Sequence, residues 1–414
     1  MKVYEPSTTY LNKSRSEPTW LEKKLIEKLQ GQLHQDCGTL HLTLPSGFTC
    51  KLGSNHPEAH IRLNNFRPLL RLYFGGTNGW SESYLAGEWD SIDLTTLVKW
   101  ALAYEDALTG LSKASFFTQM LHNIYHWQRD NSRKGSRKNI AAHYDLGNDF
   151  YKHWLDQSMT YSSALYNHPE DSLQQAQHNK YARILELLDA KAGQHVVEIG
   201  CGWGGFALQA SRDHDLNVHG ITLSQEQLKW ADERIAKEAL NEQVKLSLTD
   251  YRDLDQQYDA VVSIEMFEAV GEAHWDTYFQ TLKRVLKPGG NAVLQVITIE
   301  DERFHTYRKQ ADFIQRHVFP GGMLPSVSIL KDKISEHGFV LKKHQLFGKD
   351  YARTLREWYR DFEHSWEDIR HQGFDETFYR LWRYYLAYCE GGFEHGSIDV
   401  GLYVLCHADE PQQR

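Results

Sequence analysis

Hydrophobic and polar positions follow two different rhythms along the chain. In the first part, GTLHLTLPSGFTCKLG alternates like a β-hairpin that turns at Pro-Ser-Gly, and IRLNNFRPLLRLYFGG is strand-like. The segment SIDLTTLVKWALAYEDAL carries apolar residues at helical spacing after a capping Ser or Asp. These patterns predict an independent α+β domain over residues 1–125.

From about residue 180, helical segments alternate with apolar strand segments. The predicted strands are HVVEIGC, NVHGITL, VKLSLTDY, YDAVVSIEMF and NAVLQVITI. The predicted helices are NKYARILELLDA, WGGFALQASRDH, SQEQLKWADERIAKEAL and WDTYFQTLKRVL. Near-continuous apolar strands in this order indicate a mostly parallel sheet that is covered on both faces. The sequence therefore predicts a Rossmann-like α/β domain over residues 143–414.

Beyond residue 300 the pattern departs from this alternation. DERFHTYRKQADFIQRHVFPGGMLP is predicted as one helix that ends at Pro-Gly-Gly, and strand segments and the aromatic helix DETFYRLWRYYLAYCEGGF follow it. We interpret about 300–390 as insertions that form the wall of a pocket.

Composition narrows the class of protein. The chain has 414 residues, of which 41% are hydrophobic and 24% are charged, as in an ordinary globular protein. It contains no apolar run of membrane-spanning length, and its N-terminus has no signal-peptide core. Five scattered cysteines without a C-x-x-C pair fit a reduced compartment, so we expect a cytoplasmic protein. The 22 histidines show no metal-type spacing, and we expect no metal site.

Charge is distributed unevenly along the chain. The net charge of −9 argues against nucleic acid as a partner. Residues 126–142 nevertheless carry five basic side chains and one acidic side chain, between the two predicted domains. This basic linker is either a solvated connection or a contact for anionic lipid headgroups.

A glycine turn after the first predicted strand of the α/β domain indicates a nucleotide-like ligand. Gly200, Gly202 and Gly204 form G-x-G-x-G in VVEIGCGWGG. Proteins that bind nicotinamide cofactors and proteins that bind S-adenosylmethionine both use such turns. The acidic Glu198 just before the turn favours S-adenosylmethionine, as does the phrase LKPGG before a late strand.

The ends of the next two strands add candidate cofactor contacts. Asp250 and Tyr251 in LTDY end the third strand, where acids that contact adenine commonly lie. The second strand ends in GITLSQEQ, which lacks the acid that many such proteins use to bind the ribose. S-adenosylmethionine remains the favoured ligand.

Several motifs together resemble the cyclopropane fatty acid synthases, a family of S-adenosylmethionine-dependent enzymes that act on unsaturated phospholipid acyl chains. The matching segments, in the family's order over about 140–400, are HYDLGNDFYKHWLDQSMTYSSALY, VVEIGCGWGGFA, GITLSQEQ, DYRDL, MFEAVG, FPGGMLPS and YARTLREWY. The resemblance implies a class I methyltransferase fold with a mostly parallel seven-stranded sheet. Residues 1–125 match the family's smaller lipid-associated domain only in size and position. The resemblance further implies unsaturated phospholipids as partners, peripheral attachment to the inner face of the membrane, and a homodimer.

The resemblance also transfers site residues to this chain. It places a catalytic Glu at Glu268, with Glu265 as a nearby alternative, and a catalytic Tyr at Tyr351. It places cofactor contacts at Tyr161, Ser162, Gly200, Gly202, Thr222, Leu223 and Gln227. Two departures concern the bicarbonate ion that the family is understood to hold as a base: Ser163 stands where a Cys is common, and Gln295 stands where a His orients the anion. Ser and Gln still donate hydrogen bonds, but neither carries a positive charge as His can.

These departures leave the product open. Loss of a proton from the transferred methyl group closes a cyclopropane, whereas loss from a neighbouring chain carbon leaves a methyl-branched alkene. The base is a bound bicarbonate or a carboxylate. Two further alternatives are a non-catalytic protein that binds lipid or cofactor and a methyltransferase for an aqueous small molecule.

Overall fold

The computed structural model describes residues 17–33, 37–108 and 146–408. The chain divides into two compact units, Met1–Thr118 and Gln119–Arg414. The basic segment 126–142 lies outside the described residues. In the part of the chain that is described, no helix is both long and apolar enough to cross a membrane.

The first unit is an α+β fold around a small sheet. Its elements are α1 (Trp20–Gln32), β1 (Gly38–Thr43), β2 (Thr49–Leu52), β3 (Asn55–Leu63), α2 (Arg67–Leu85), β4 (Trp89–Asp90), α3 (Leu94–Ala103) and α4 (Glu105–Leu108). The strand order is β2-β1-β3-β4, with β1 antiparallel to β2 in a hairpin and parallel to β3. The predicted hairpin is therefore present.

Two predictions of local structure in this unit have different outcomes. The Asp93 carboxylate caps α3 by accepting from the Thr96 N–H at 2.9 Å, as the sequence pattern predicts. The strand-like interpretation of IRLNNFRPLLRLYFGG is wrong beyond Leu63, because α2 begins at Arg67. Pro68 lies in the first turn of that helix, where its missing N–H costs nothing.

The second unit contains the alternation that the sequence predicts. Its elements are α5 (Asn148–Tyr151), α6 (Leu173–Leu188), β5 (His195–Ile199), α7 (Gly205–His214), β6 (Asn217–Thr222), α8 (Gln225–Lys237), β7 (Val244–Leu248), β8 (Tyr258–Ile264), α9 (Trp275–Val285), β9 (Leu286–Ile299), α10 (Asp301–Tyr307), α11 (Phe313–His317), α12 (Val327–Glu336), β10 (Phe339–Leu346), α13 (Gly348–His364), α14 (Trp366–His371), α15 (Glu376–His395) and β11 (Ile398–His407).

These strands form one seven-stranded sheet in the order β10-β11-β9-β8-β5-β6-β7. Neighbours from β9 to β7 run parallel, and β11 runs antiparallel to both β9 and β10. The α/β prediction with a mostly parallel sheet is confirmed. A buried apolar cluster that includes Val261, Leu294, Tyr278, Leu282 and Leu330 joins the sheet to α9 and α12.

The region after residue 300 differs from its prediction in two ways. The single helix predicted before Pro-Gly-Gly is two short helices, α10 and α11, and the Asp312 side chain caps the second by accepting from the Gln315 N–H at 2.9 Å. Strand β10, within the range interpreted as insertions, is instead the edge strand of the sheet. The inserted helices are α13, α14 and α15, between β10 and β11.

The strand order places a ligand site at one edge of the sheet. Strand β5 pairs with β6 on one side and with β8 on the other, so the chain reverses its direction of travel across the sheet at β5. Ligands of open α/β sheets bind beyond the carboxyl ends of the strands at this switch point. The glycine turn after β5 and the glutamates after β8 lie at these ends.

Candidate functional site

The glycines of the turn after β5 have two roles: two of them line a cleft, and the third allows the following helix to pack closely against a neighbour. Gly200 and Gly202 have φ values of 85° and 50°, in the left-handed region that favours glycine, and both line a cleft. Gly204, at φ 78°, is the N-cap of α7, and a Cβ there would lie 3.1 Å from the Cβ of Ala231. Gly204 therefore positions the helix, while Gly200 and Gly202 face the ligand space.

Most of the predicted cofactor residues line this cleft. The predicted residues among its lining are Tyr161, Ser162, Glu198, Gly200, Gly202, Thr222, Leu223, Gln227 and Tyr251. The cleft extends along the ends of β5, β6 and β8, at the switch point. Residues 161–162 reach it from the segment before α6.

Asp250, also predicted as a cofactor contact, forms hydrogen bonds within its own turn. Its carboxylate accepts from the Arg252 N–H at 3.0 Å and from the guanidinium at 2.8 and 2.7 Å. The side chain is buried and caps the short 3₁₀ turn Tyr251–Asp253. The Asp250–Arg252 pair therefore holds the turn that brings Tyr251 to the cleft.

The side of the cleft at the end of β6 is lined by neutral polar groups. The Thr222 hydroxyl donates to the Gln227 side-chain oxygen at 3.0 Å and accepts from the Ser224 N–H at 3.1 Å. This pairing fixes Gln227 on the first turn of α8 and leaves its amide NH₂ group as a donor.

Glu198 lies at the end of β5 and is buried. Burial raises the pKa of its carboxyl well above the usual range, and the nearby positive charge of Lys180 partly opposes that shift. Its Oε2 atom has no hydrogen-bond partner among the described residues. A buried acceptor of this kind at a cleft wall is suited to binding hydroxyl or amine donors of a ligand.

Lys180 is a buried lysine that the sequence analysis did not select. Its Nζ donates to the Ser162 hydroxyl at 2.6 Å, and burial lowers the pKa of Lys180 to about 7. Glu265, Asp156 and Glu198 provide the negative charges that oppose the shift. A sequence signal was available, because Lys180 lies on the apolar face of α6, four residues before Ile184.

Three of the predicted catalytic residues converge on Glu265. Its Oε2 accepts from the Tyr351 hydroxyl at 2.7 Å. Its Oε1 accepts from the Gln295 amide at 2.7 Å and from the Ser163 N–H at 2.8 Å. Glu265 also lines the cleft, so the group at the centre of this network is in the same cavity as the glycine turn.

Glu268, the acid selected from the MFEAVG motif, lies beside this network. Its Oε1 accepts from the Ile297 N–H at 2.5 Å, and its Oε2 has no hydrogen-bond partner in the described parts of the chain. Desolvation and the negative charge of Glu265 raise the pKa of Glu268 to about 8. Burial raises the pKa of Glu265 as well, but Glu265 accepts from three donors and Glu268 from the Ile297 N–H, so the site stabilises negative charge better on Glu265 than on Glu268.

The donors that the resemblance assigns to bicarbonate thus already have an anionic partner. Ser163, Gln295 and Tyr351 bind the Glu265 carboxylate, and the Gln295 amide also faces the Ser163 carbonyl at 3.5 Å. A bicarbonate bound by the same three donors would compete with Glu265 for them. These three donors are therefore not free to hold an additional anion.

Aromatic rings surround Tyr161 at the other side of the cleft. Its ring centroid lies 5.3 Å from Trp154, 5.3 Å from Trp358 and 5.5 Å from Tyr151. The hydroxyls of Tyr161 and Tyr385 are 2.8 Å apart. Helices α13 and α15, which carry Trp358 and Tyr385, therefore pack behind Tyr161, and among these rings it is Tyr161 that lines the cleft. Aromatic faces in a dry cavity stabilise a positive charge.

One surface group has metal-ligating residue types. Ligand atoms of Asp276, Glu336 and His337 lie within 4.8 Å of one another. Lys333 donates to both carboxylates, at 2.8 and 2.9 Å, so a protein cation already neutralises them. This group lies outside the cleft and carries no argument for a metal.

Comparison with known proteins connects this geometry to a family. The family model for mycolic acid cyclopropane synthetase matches residues 131–402. Tuberculostearic acid methyltransferase UfaA1 of Mycobacterium tuberculosis is 38% identical over 355 residues, which cover 81% of this chain and 80% of that protein. Cyclopropane-fatty-acyl-phospholipid synthase of Escherichia coli is 36% identical over 360 residues, which cover 85% and 89%.

A solved structure extends the comparison to three dimensions. The crystal structure of mycolic acid cyclopropane synthase CmaA1, complexed with SAH and CTAB, superposes with a TM-score of 0.62 at 30% identity. The match covers 65% of this chain and 97% of that one.

Proposed function

This chain belongs to the mycolic acid cyclopropane synthetase family and is an S-adenosylmethionine-dependent methyltransferase, and on that premise we propose that it converts a double bond of an unsaturated phospholipid acyl chain into a cyclopropane. One observation carries the proposal. The cleft at the glycine turn is also lined by a carboxylate, Glu265, and by the Tyr161 ring, against which other aromatic rings pack.

Different residues of the cleft are assigned to different parts of the co-substrate. When it is bound, the co-substrate supplies an electrophilic methyl group on a sulfonium. Gly200 and Gly202 allow the backbone to approach it closely. We assign Glu198, Thr222, Leu223, Gln227 and Tyr251 to its ribose and adenine, and Tyr161 and Ser162 to its amino acid end. Gly204 and Asp250 act one step away, by packing α7 and by holding the turn at Tyr251.

The reaction needs an electron-rich carbon, a cavity without water and a base. The alkene's π electrons form a bond to the methyl carbon while the methyl–sulfur bond breaks, which leaves a positive charge on the acyl chain. Removal of a proton from the new methyl group then lets its C–H electrons close the ring. The net products are a cyclopropane, the demethylated thioether and a proton.

The wall residues favour this sequence of events. The Tyr161 ring lines the cleft, and the buried Trp154 and Trp358 rings pack against it. An aromatic ring at this place stabilises positive charge without acting as a nucleophile. The Glu265 carboxylate, which accepts from Gln295, Ser163 and Tyr351, places negative charge beside the cleft. Glu268 contributes a neutral carboxyl, because its pKa is raised to about 8. A base within the cofactor cleft is near the transferred methyl group, which favours ring closure.

The partner is proposed to be an unsaturated phospholipid at the membrane surface. In the first unit, the large apolar side chains of Trp20, Phe74 and Ile92 are exposed, which suits contact with lipid. The five basic residues of 126–142 add attraction to anionic headgroups. The protein is proposed to associate peripherally with the inner face of the membrane. It is also proposed to form a homodimer, which would present two such basic segments.

Methyl branching of the same double bond is the second candidate. A relative that is 38% identical to this chain carries the name tuberculostearic acid methyltransferase, and Gln295 departs from the histidine that the resemblance predicts. Both outcomes use the same co-substrate and the same alkene. They differ only in which proton the base removes.

The test uses the purified full chain, S-adenosylmethionine and vesicles of a monounsaturated phosphatidylglycerol. Fatty acids are released and analysed by mass spectrometry before and after hydrogenation. The proposal expects chains that gain one carbon and resist hydrogenation, as a ring does under mild conditions. Chains that gain one carbon and then take up hydrogen would support branching, and unchanged chains would contradict both candidates.

A further inference from the structure

The position of Glu265 resembles that of a bound anion more than that of an ordinary loop glutamate. Its two oxygens accept from Tyr351, Gln295 and Ser163 at 2.7, 2.7 and 2.8 Å. These donors come from α13, from β9 and from the segment before α6, so three distant parts of the chain converge on one carboxylate. Such convergence is typical of a site that is built to hold an anion.

The shape of the group explains why it excludes a second anion. A carboxylate and a bicarbonate share a planar O–C–O unit that accepts hydrogen bonds from the same directions. The three donors can serve one of them, and Glu265 is covalently fixed in place. A bicarbonate at this position would lose those donors and would lie against the negative charge of Glu265.

We propose that Glu265 is the base of the reaction, and that this enzyme turns over without bicarbonate. The inference rests on the proposed function, because it names the group that accepts the proton in that reaction. It assigns to the protein's own side chain the part that the resemblance gives to a free ion.

The step balances with groups that the site contains. One Glu265 oxygen takes a proton from the methyl group on the positively charged chain, the C–H electron pair closes the ring, and the carboxylate becomes a neutral carboxyl. Burial raises the pKa of Glu265, and the hydrogen bonds from Ser163, Tyr351 and Gln295 together with the Lys180 charge oppose that shift and favour the ionised form before the step. The proton passes to water when the product leaves, which restores the carboxylate.

The backbone conformation of Glu265 also indicates a functional site. Its φ of 49° lies in the left-handed region, which a glutamate enters only against steric resistance. Strained residues of this kind cluster at functional sites, where surrounding contacts hold them. Glycine adopts this conformation readily, so Glu265→Gly removes the carboxylate without forcing the backbone to move.

The first experiment measures turnover on monounsaturated vesicles in buffer freed of carbon dioxide, with and without added bicarbonate. The wild type is expected to have the same rate in both buffers, within twofold. Glu265→Gly is expected to lose about 100-fold or more without bicarbonate, because a general base contributes on that order. Added bicarbonate is expected to raise the turnover rate of Glu265→Gly at least tenfold, because the donors that Glu265 no longer occupies can then bind the ion.

The second measurement does not depend on turnover. Carbon-13 NMR of labelled bicarbonate is recorded with each protein, and affinity for S-adenosylhomocysteine is measured by calorimetry. Glu265→Gly is expected to bind the labelled bicarbonate, whereas the wild type is expected not to bind it. The affinities of the two proteins for S-adenosylhomocysteine should agree within threefold. Glu265→Gln, which keeps the volume but not the basicity, is expected to be inactive in both buffers. The exposed Glu302→Gln serves as the matched control and should behave like the wild type.

The outcomes separate this inference from the proposed function. A wild type that modifies lipid but slows tenfold when bicarbonate is removed would overturn the inference alone. A Glu265→Gln variant with more than half of the wild-type rate would also overturn it. A wild type that binds S-adenosylhomocysteine but modifies no lipid would overturn the proposed function. Independently of turnover, binding of labelled bicarbonate to the wild type would overturn the inference.

Discussion

Glu265 and Glu268 show what single residues reveal and conceal in a sequence. The MFEAVG motif directs attention to Glu268, whereas the structure gives the Tyr351, Gln295 and Ser163 hydrogen bonds to Glu265. The four positions at this cluster could be selected from motifs, but their arrangement could not. Hydrogen-bond partners 30 to 102 residues away, and a positive φ at a glutamate, leave no local signal in the chain.

The raised pKa of Glu268 gives a prediction for stability. Its native pKa is about 8 and its ordinary value is 4.5, so between these values the native state binds a proton that the unfolded state has released. The stabilisation from this group is complete below about pH 4.5 and is lost as the pH rises through about 8.

Glu268→Gln removes this dependence. Relative to the variant, the wild type is expected to lose unfolding free energy between about pH 5 and about pH 8, by at most about 1.4 kcal/mol per pH unit. Thermal unfolding of both proteins across that range measures the difference. Parallel curves would show that Glu268 is ionised in the native protein at neutral pH.

Lys180 gives a prediction for activity. Its positive charge lowers the pKa of Glu265, although desolvation raises that pKa overall. Lys180→Met keeps a similar length but removes the charge, so the pKa of Glu265 is expected to rise. Because the base must be ionised, the acid limb of the kcat–pH profile should move to higher pH by about one unit or more.

The matched control for this prediction is Lys191→Met, at an exposed lysine. The control should leave the profile in place. An unshifted profile in Lys180→Met, with a uniformly lower rate, would assign Lys180 a structural role through Ser162 and would contradict its electrostatic role.

At the scale of elements, the sequence predicts local structure better than sheet order. Apolar runs and helical spacing locate β5 to β9 and α6 to α9, because each pattern is set by neighbours in the chain. The positions of the edge strand β10 and the antiparallel strand β11 cannot be predicted in this way, because β11 pairs with β9, which is far away in the sequence, and β10 pairs with β11. Likewise, the break between α10 and α11 depends on the cap at Asp312.

The start of α7 permits a matched pair of glycine substitutions. Gly204 and Gly289 have similar positive φ values of 78° and 84°, but only at Gly204 does an added Cβ meet a neighbour, at 3.1 Å from Ala231. Each alanine substitution should cost about 1–2 kcal/mol from backbone strain. Gly204→Ala should cost measurably more, because α7 must also shift against α8. Chemical denaturation of both variants tests this, and equal losses would contradict the packing argument.

At the scale of the whole molecule, two units of different character share one chain. The second unit contains the cleft and the glutamates, and the first unit exposes several large apolar side chains. The net charge of −9 makes general attraction to an anionic bilayer unfavourable. Any electrostatic attachment must therefore come from a local segment, and 126–142 has the composition for it.

Replacing four of its basic residues tests that attachment. The change is Arg133, Lys134, Arg137 and Lys138 to Gln. Each lost charge is expected to weaken binding to anionic vesicles by about 1 kcal/mol at low salt, with no change on neutral vesicles. Vesicle co-sedimentation measures both. Binding that is unchanged by the substitutions and by salt would assign attachment to the apolar side chains of the first unit.

One isotopic measurement tests the central claim most directly. The wild-type chain is incubated with monounsaturated phospholipid vesicles and S-adenosylmethionine whose methyl group is fully deuterated, and the released acyl chains are analysed by mass spectrometry and NMR. A base beside the transferred methyl group predicts a cyclopropane whose new carbon keeps two of the three deuterium atoms. A branched alkene that keeps all three would show that the proton leaves from the chain instead, and would contradict ring closure by Glu265.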